Sequence, residues 1–199
     1  AFPETPVFKL TTDSAPAHRA ARKIADKFFD TKGSILVGTE RMLPYLEGPV
    51  SITVVASIDS LLSLSQWRAH EHALSILYYL RERALNACIV ETRRPESTVV
   101  KALESGNPTD FYKAEIEERE RYGYPPFAVF IGLSWHGSRA VVEKTAFMIQ
   151  KTFQDYDLVG PLPAVNIGKT EWGARAVIRL KKNDWPDERL QKRLRSLPP

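Results

Sequence analysis

The chain has 199 residues, with 28 Lys or Arg and 24 Asp or Glu, so its formal net charge is +4. Hydrophobic residues make up 43% of it and aromatic residues 10%, which is enough for a core and excludes a disordered or collagen-like chain. No apolar run approaches the roughly 20 residues that cross a bilayer, and no secretory signal pattern is present. We therefore expect a globular protein located in the cytoplasm, with no membrane partner.

The cysteine content excludes two further classes of protein. A single cysteine, Cys88, rules out an internal disulfide framework and a cysteine-cluster zinc site within these residues. It lies in an apolar stretch, where a buried inert thiol is expected rather than a nucleophile. Because the first residue is Ala1 rather than Met, we also expect the chain to be a fragment of a longer protein.

The first half of the sequence alternates apolar runs with segments of helical periodicity. Continuous apolar strands are typical of a parallel sheet covered on both faces. The alternation predicts an α/β unit over residues 1–105. The predicted strands are Val7–Leu10, Ser34–Gly38, Ile52–Ile58 and Cys88–Glu91, and the predicted helices are Ala17–Phe29 and Gln66–Ala87.

A breaker cluster, Ser-Gly-Asn-Pro at 105–108, separates this unit from the second half. A charged helix over 110–122 follows, and we interpret the segment 106–124 as a connector. Residues 125–199 are predicted to form a small α+β domain with an antiparallel sheet. Its expected elements are strands over Phe127–Trp135 and Ala174–Lys181 and helices over Ser138–Phe153 and Asp187–Leu197.

Positive charge is concentrated at the C-terminal end. Residues 169–199 contain nine basic and four acidic residues, an excess of five positive charges. Such a concentration attracts polyanions, because neutralising phosphates releases their condensed counterions. An ordinary solvated surface is the alternative, since charge runs occur on many proteins.

Motifs of catalysis and nucleotide binding are missing. The sequence has neither a Gly-x-x-x-x-Gly-Lys-Ser/Thr loop nor a Gly-x-Gly-x-x-Gly turn after a strand. His70 and His72 are two residues apart on a predicted helix, so they face different directions, unlike the i,i+4 pair of a helical zinc site. We therefore expect no catalytic residue, no metal site and no enzyme activity confined to this chain.

Several motifs, taken in order, resemble a known family. Residues 34–42 read Ser-Ile-Leu-Val-Gly-Thr-Glu-Arg-Met, an apolar strand follows, and residues 67–71 read Trp-Arg-Ala-His-Glu. Residues 111–116 read Phe-Tyr-Lys-Ala-Glu-Ile, and Tyr-Pro-Pro-Phe stands at 124–127. Gly-Pro-Leu-Pro-Ala follows at 160–164. This order resembles the primosomal replication-restart helicases of the PriA type, over nearly the whole chain.

The resemblance implies a fold and a function for each half. It implies that residues 1–105 form the second, RecA-like lobe of a helicase and that the C-terminal α+β domain follows. The family's phosphate loop, zinc-binding cysteines and 3′-end-binding domain would lie upstream. We therefore expect no cofactor in this chain itself, with zinc and ATP possible only through upstream parts.

The departures from the family bear on activity. Where active members carry Lys-Gly-x-Asp-Phe after the strand, this chain has Leu-Pro-Tyr-Leu-Glu-Gly at 43–48. Arg83 falls on the first arginine of the family's ATP-contacting motif, but Asn86 replaces the second. Because an arginine finger contributes several powers of ten in rate, its loss should cripple hydrolysis. Arg83 is thus at most part of a vestigial ATP site, and residues 79–86 are predicted to be uninterrupted helix.

Three functional hypotheses remain open. The leading one is a replication-restart fragment that binds branched or single-stranded DNA at stalled forks, recruits primosome partners and has no helicase activity of its own. A second is a module that docks the acidic tail of single-stranded-DNA-binding protein, with Trp172 and Arg175 as anchors. A third is part of an active helicase. The expected DNA-contacting residues are Thr39, Arg41, Lys169, Arg175, Arg179, Lys181 and Lys182, with Trp172 and Trp185 available to stack on bases.

Overall fold

The computed structural model describes residues 4–11, 17–64 and 66–197. The chain divides into two compact units, Ala1–Asp110 and Phe111–Pro199. In the described part of the chain, no helix is both long and apolar enough to cross a membrane. The elements of the first unit are β1 (Val7–Leu10), α1 (His18–Asp30), β2 (Ile35–Gly38), a 3-10 helix (Glu40–Tyr45), β3 (Val50–Val55), α2 (Asp59–Leu62), α3 (Ala69–Arg83), β4 (Ala84–Val90) and α4 (Thr98–Ser105).

The strands of the first unit pair in parallel, as the sequence predicts. β1 pairs with β2, and β3 pairs with β4, with Val54 opposite Ile89. Within the described residues they form two separate two-stranded sheets. Within the described residues, only one face of the β3–β4 pair is packed against other elements, because Val54 on the other face is 62% exposed. The apolar runs had predicted that both faces of the sheet would be covered.

Helix α3 forms the centre of the first unit. Leu77 is fully buried, and Ile76 and Leu80 belong to a cluster that also contains Leu46 and is packed by residues of β2, β3 and β4. The helix ends at Arg83, so the prediction of uninterrupted helix over residues 79–86 is wrong. Pairing with β3 satisfies the backbone groups of residues 84–90, and this tertiary gain outweighs their helix propensity.

The second unit contains one antiparallel sheet, which confirms the α+β prediction for the C-terminal part. Its strand order is β5–β8–β6, and β7 also pairs with β8. The short strands β6 and β7 lie in a stretch predicted to be a loop. The elements are α5 (Thr109–Tyr122), β5 (Ala128–Gly137), α6 (Arg139–Thr152), β6 (Asp157–Val159), β7 (Val165–Asn166), β8 (Trp172–Lys181), a 3-10 helix (Lys182–Asp184) and α7 (Glu188–Arg195).

Helices α6 and α7 cover one face of this sheet. Phe153, Ile178 and Leu190 are fully buried in the shared core. Each helix begins at a side-chain cap, which satisfies an otherwise free N–H. The Ser138 hydroxyl accepts a hydrogen bond from the N–H of Val141 in α6, and the Asp187 carboxylate accepts one from the N–H of Leu190 in α7. This core fixes which residues of β8 point away from the helices.

Candidate nucleic-acid interface

Alternation along β8 separates a core row from an exposed row. Ala174, Ala176 and Ile178 are buried under the helices, so Arg175 and Arg179, on intervening positions, point to the opposite face. Cross-strand partners share a face, which extends this surface over β5 and β6. We call it the open sheet face, and it consists of Ala128, Phe130, Gly132, Ser134, Asp157, Val159, Arg175, Val177, Arg179 and Lys181.

Two cations of the open sheet face carry no acidic partner among the described residues. Arg175 lies opposite Ser134, and Lys181 lies opposite Ala128; both are exposed. They are six positions apart, so their Cα atoms are about 20 Å apart along the strand. Lys182 follows β8 directly, and Lys169 is exposed in the segment between β7 and β8. Four of the predicted DNA-contacting residues are therefore exposed in the second unit.

Arg179, in contrast, forms an ion pair with an acidic residue. Its Nε donates to Oδ2 of Asp157 at 2.9 Å, and its Nη2 donates to Oδ1 at 3.2 Å, across the β6–β8 pair. Such a bidentate ion pair holds the guanidinium in the plane of the carboxylate. Asp157 is not recognisable as a partner of Arg179 from the sequence, because the pairing depends on β6, which lies in a stretch predicted to be a loop.

Two further basic residues of the C-terminal end are also paired with an upstream acid. Arg189 and Arg193 both reach the carboxylate of Asp155, and Arg193 also donates to the carbonyl of Thr152 at 2.8 Å. The hydrogen bond from Arg193 is the largest cause that lowers the pKa of Asp155. Asp155 and Asp157 thus neutralise part of the excess positive charge of residues 169–199. The unpaired positive charge of the open sheet face comes from Arg175 and Lys181.

An aromatic side chain lies beside the basic row. Phe130 is half-buried and stands directly opposite Arg179 in the β5–β8 register. The ring of Tyr124 meets it edge-on, with centroids 5.9 Å apart. Sequence reasoning missed Phe130, because only strand pairing brings it next to residues some fifty positions later. The open sheet face thus combines cations with an aromatic surface, the two components of single-strand binding sites.

The structure does not bring the expected anchors Trp172 and Arg175 together. They are three residues apart on one strand, so their side chains point to opposite faces of the sheet. Trp172 is half-buried, and the guanidinium of Arg139 lies over its ring at 5.0 Å from the centroid. The two side chains therefore do not lie side by side, and their assignment as anchors for a partner stays a prediction. Trp185 is 39% exposed after the 3-10 helix that follows β8.

Thr39 and Arg41 lie in the first unit. Thr39 follows β2 at its carboxyl end and precedes the 3-10 helix, which contains Arg41. Both residues are exposed, and the carbonyl of Thr39 accepts from the N–H of Met42 at 2.9 Å. Their assignment to DNA contact rests on the resemblance of residues 34–42 and stays a prediction.

Arg83, the residue assigned to a vestigial ATP site, is engaged by its own chain. Its guanidinium lies 3.5 Å from the ring centroid of Tyr79 and donates from Nε to the carbonyl of Leu46 at 2.9 Å. The Tyr79 hydroxyl donates to the carbonyls of Leu43 and Leu46. Tyr79 and Arg83 thus hold residues 43–48, the segment that departs from the family's coupling motif, by hydrogen bonds to its backbone. Arg83 therefore has a structural role in this conformation.

Comparison with known proteins agrees with the motifs. No family model matches the chain. A PriA replication restart protein of Synechocystis is 27% identical over 175 residues, which cover 82% of this chain and 21% of the relative. PriA proteins of Thermotoga maritima and Chlamydia muridarum are 24% and 29% identical, over 69% and 65% of this chain and 19% and 18% of theirs. The chain spans about a fifth of the length of these relatives. The resemblance is thus confirmed, and most of this chain is similar to part of the PriA replication restart proteins.

Proposed function

We propose that this chain is part of a replication-restart protein and binds branched or single-stranded DNA at stalled forks through its open sheet face. The observation that carries the proposal is the pair Arg175 and Lys181, exposed on one face of β8 and without an acidic partner among the described residues. The similarity to proteins named for replication restart supports this biological setting.

The open sheet face suits an unpaired strand better than a duplex. Arg175 and Lys181 can each neutralise a phosphate, which gives affinity without sequence preference. Phe130 lies between them along the face and is half-buried, so the exposed part of its side chain can pack against a base. Lys169 and Lys182, exposed before and after β8, extend the positive surface. A strand that follows β8 would meet cations at both ends and an aromatic side chain between them.

We further propose that the chain supplies no helicase activity of its own. Asn86 is drawn into β4, where its side-chain amide donates to Ser51 at 2.9 Å, and Arg83 is held by Tyr79 and Leu46. In this arrangement both side chains are engaged by their own chain rather than free to contact a nucleoside triphosphate. Participation in an active helicase, the third hypothesis, would require Arg83 to leave its carbonyl partners.

The direct test is charge removal on one face against charge removal on the other. The variant R175Q/K181Q neutralises the open sheet face, whereas K192Q/R195Q removes two exposed cations of α7 on the helix-covered side. Binding of a labelled forked DNA is followed by fluorescence anisotropy. We expect R175Q/K181Q to weaken binding about tenfold and the α7 variant about twofold or less. Equal effects of the two variants would contradict the proposal.

A second candidate function is docking of the acidic tail of single-stranded-DNA-binding protein. The observation in its favour is Leu162, which is 44% exposed and donates its N–H to the carbonyl of Arg175 at 2.9 Å. Gly160, with a φ of +96°, lets this loop approach β8, because a Cβ there would lie 3.2 Å from the same carbonyl. A basic residue whose backbone is joined to that of an exposed apolar residue suits an acidic peptide with an apolar end.

A further inference from the structure

A cavity of about 350 Å³ lies in the first unit at the carboxyl ends of β3 and β4. Five residues line it: Ser57, Asp59, Glu91, Thr92 and Arg93. In α/β proteins ligands bind outside the carboxyl ends of parallel strands, and the volume is within the range of small-molecule sites. None of these residues belongs to the open sheet face, so the cavity is a separate candidate site.

Asp59 holds the turn that borders this cavity. Its Oδ1 accepts from the Thr92 hydroxyl and its Oδ2 from the N–H of Arg93, both at 2.9 Å. The Thr92 hydroxyl in turn accepts from the N–H of Arg94, also at 2.9 Å. The Arg93 N–H is the largest cause that lowers the pKa of Asp59, so the carboxylate is ionised at neutral pH. The turn over residues 92–94 is therefore fixed while its side chains remain exposed.

The fixed turn presents two adjacent arginines. Arg93 and Arg94 are both exposed, and neither forms a salt bridge with a described residue. Each carboxylate oxygen of Asp59 already accepts one hydrogen bond from the turn, whereas no described residue donates to the carboxylate of Glu91, which also lines the cavity. Guanidinium groups bind phosphate oxygens in a fork geometry, and a carboxylate accepts from an amino group. The site thus offers donors for an anion beside an acceptor for an amine.

We propose that this cavity binds one nucleotide, with an exocyclic base amine donating to Glu91 and its phosphate on Arg93, which lines the cavity, and on the adjacent Arg94, which lies next to the lining residues in the chain. Thymine lacks an exocyclic amine, whereas cytosine and adenine carry one. The site should therefore favour cytosine or adenine over thymine. When the nucleotide belongs to a strand, the inference rests on the proposed DNA-binding function and gives the first unit its own contact. Free ATP offers the same phosphate and amine, so the test includes it.

The test compares R93Q/R94Q with K23Q/K101Q, which removes two exposed cations of the same unit outside the cavity. Anisotropy of labelled 15-residue oligo(dC) and oligo(dT), and of a fluorescent ATP, is measured for each variant. We expect R93Q/R94Q to weaken oligo(dC) binding fivefold or more and the control less than twofold. A parallel loss of ATP binding assigns a free nucleotide as ligand too, whereas intact or undetectable ATP binding assigns a nucleotide within a strand. Unchanged binding of both ligands would overturn the inference.

Two further variants make the result specific. E91Q should bring the affinities for oligo(dC) and oligo(dT) together, since glutamine can donate to thymine as well as accept from cytosine. An unchanged preference in E91Q would contradict the role given to Glu91. R175Q/K181Q separates this inference from the proposed function: if it weakens strand binding while R93Q/R94Q does not, only the cavity fails. If the reverse holds, only the open sheet face fails.

Discussion

Arg179 on β8 and Asp157 on β6 form a bidentate ion pair, with donor–acceptor distances of 2.9 and 3.2 Å. The pair lies in the middle of the open sheet face, between Arg175 and Lys181. It neutralises the positive charge of Arg179 on the surface that we propose binds phosphates. Under the proposed function, Asp157 therefore lowers the affinity of the open sheet face for DNA.

Replacing Asp157 by Asn should strengthen DNA binding. The substitution removes a negative charge from the open sheet face and releases Arg179 to contact a phosphate. We expect the affinity for single-stranded DNA to rise about two- to fivefold at moderate salt. Asp30→Asn, at an exposed end of α1, removes the same charge far along the chain and serves as the control. Weaker binding by D157N would mean that Arg179 must be oriented by Asp157 to act.

The opposite orientation of Trp172 and Arg175 leads to a prediction about peptide docking. In a calorimetric titration, an acidic peptide ending in Phe should bind more weakly to R175Q and to Leu162→Ala, because the backbones of these two exposed residues are joined by a hydrogen bond. Trp172→Phe should leave the affinity within about twofold, since the ring faces the other side of the sheet. A large loss in W172F with none in L162A would contradict this arrangement.

Tyr79 should stabilise the first unit through its hydroxyl. Tyr79→Phe removes the donor to the carbonyls of Leu43 and Leu46, and we expect the free energy of unfolding to fall by about 1 kcal/mol. Tyr122→Phe, at a position 57% exposed, should change it by much less. Urea denaturation followed by circular dichroism provides the measurement. Equal midpoints for Y79F and wild type would show that the carbonyls find water instead.

Acid should destabilise the second unit through Asp187. The N–H of Leu190 is the largest cause that lowers the pKa of Asp187, and the Tyr156 hydroxyl adds to it. Because the folded pKa lies below the unfolded value of about 3.9, this stabilisation is present above that value. It is lost as the pH falls through the folded pKa.

The measurement is the melting temperature as a function of pH between 7 and 2.5. Asp187→Asn keeps a capping oxygen but carries no charge, so its melting temperature should fall less steeply below pH 4 than that of wild type. Asp30→Asn should keep the wild-type slope. An identical acid limb in D187N and wild type would assign the pH dependence to other groups.

Much of the fold was predictable because apolar periodicity is a local property. The spacing of apolar residues located α1, and the alternation along Ala174–Lys181 located β8. The end of α3 was not predictable in this way, since Ala84 and Leu85 favour helix and only pairing with β3 makes them strand. Three-residue β6 is too short for any periodicity, and it exists through its pairing with β8.

The candidate site was predictable only in part, for the same reason. Basic residues near the C-terminus are visible in the sequence, but which of them keep a free charge depends on Asp155 and Asp157, which precede that stretch. Phe130 joins Arg179 only through the β5–β8 register. The turn held by Asp59 likewise unites residues more than thirty positions apart.

The most direct test of the central claim is the salt dependence of single-strand binding in wild type and R175Q/K181Q. Each phosphate contact contributes about 0.7 to the slope of log affinity against log salt concentration, so two lost contacts should lower the slope by about 1.4. The K192Q/R195Q control should keep the wild-type slope. Binding that weakens with no change of slope, or a slope that falls equally in the control, would contradict phosphate contact by the open sheet face.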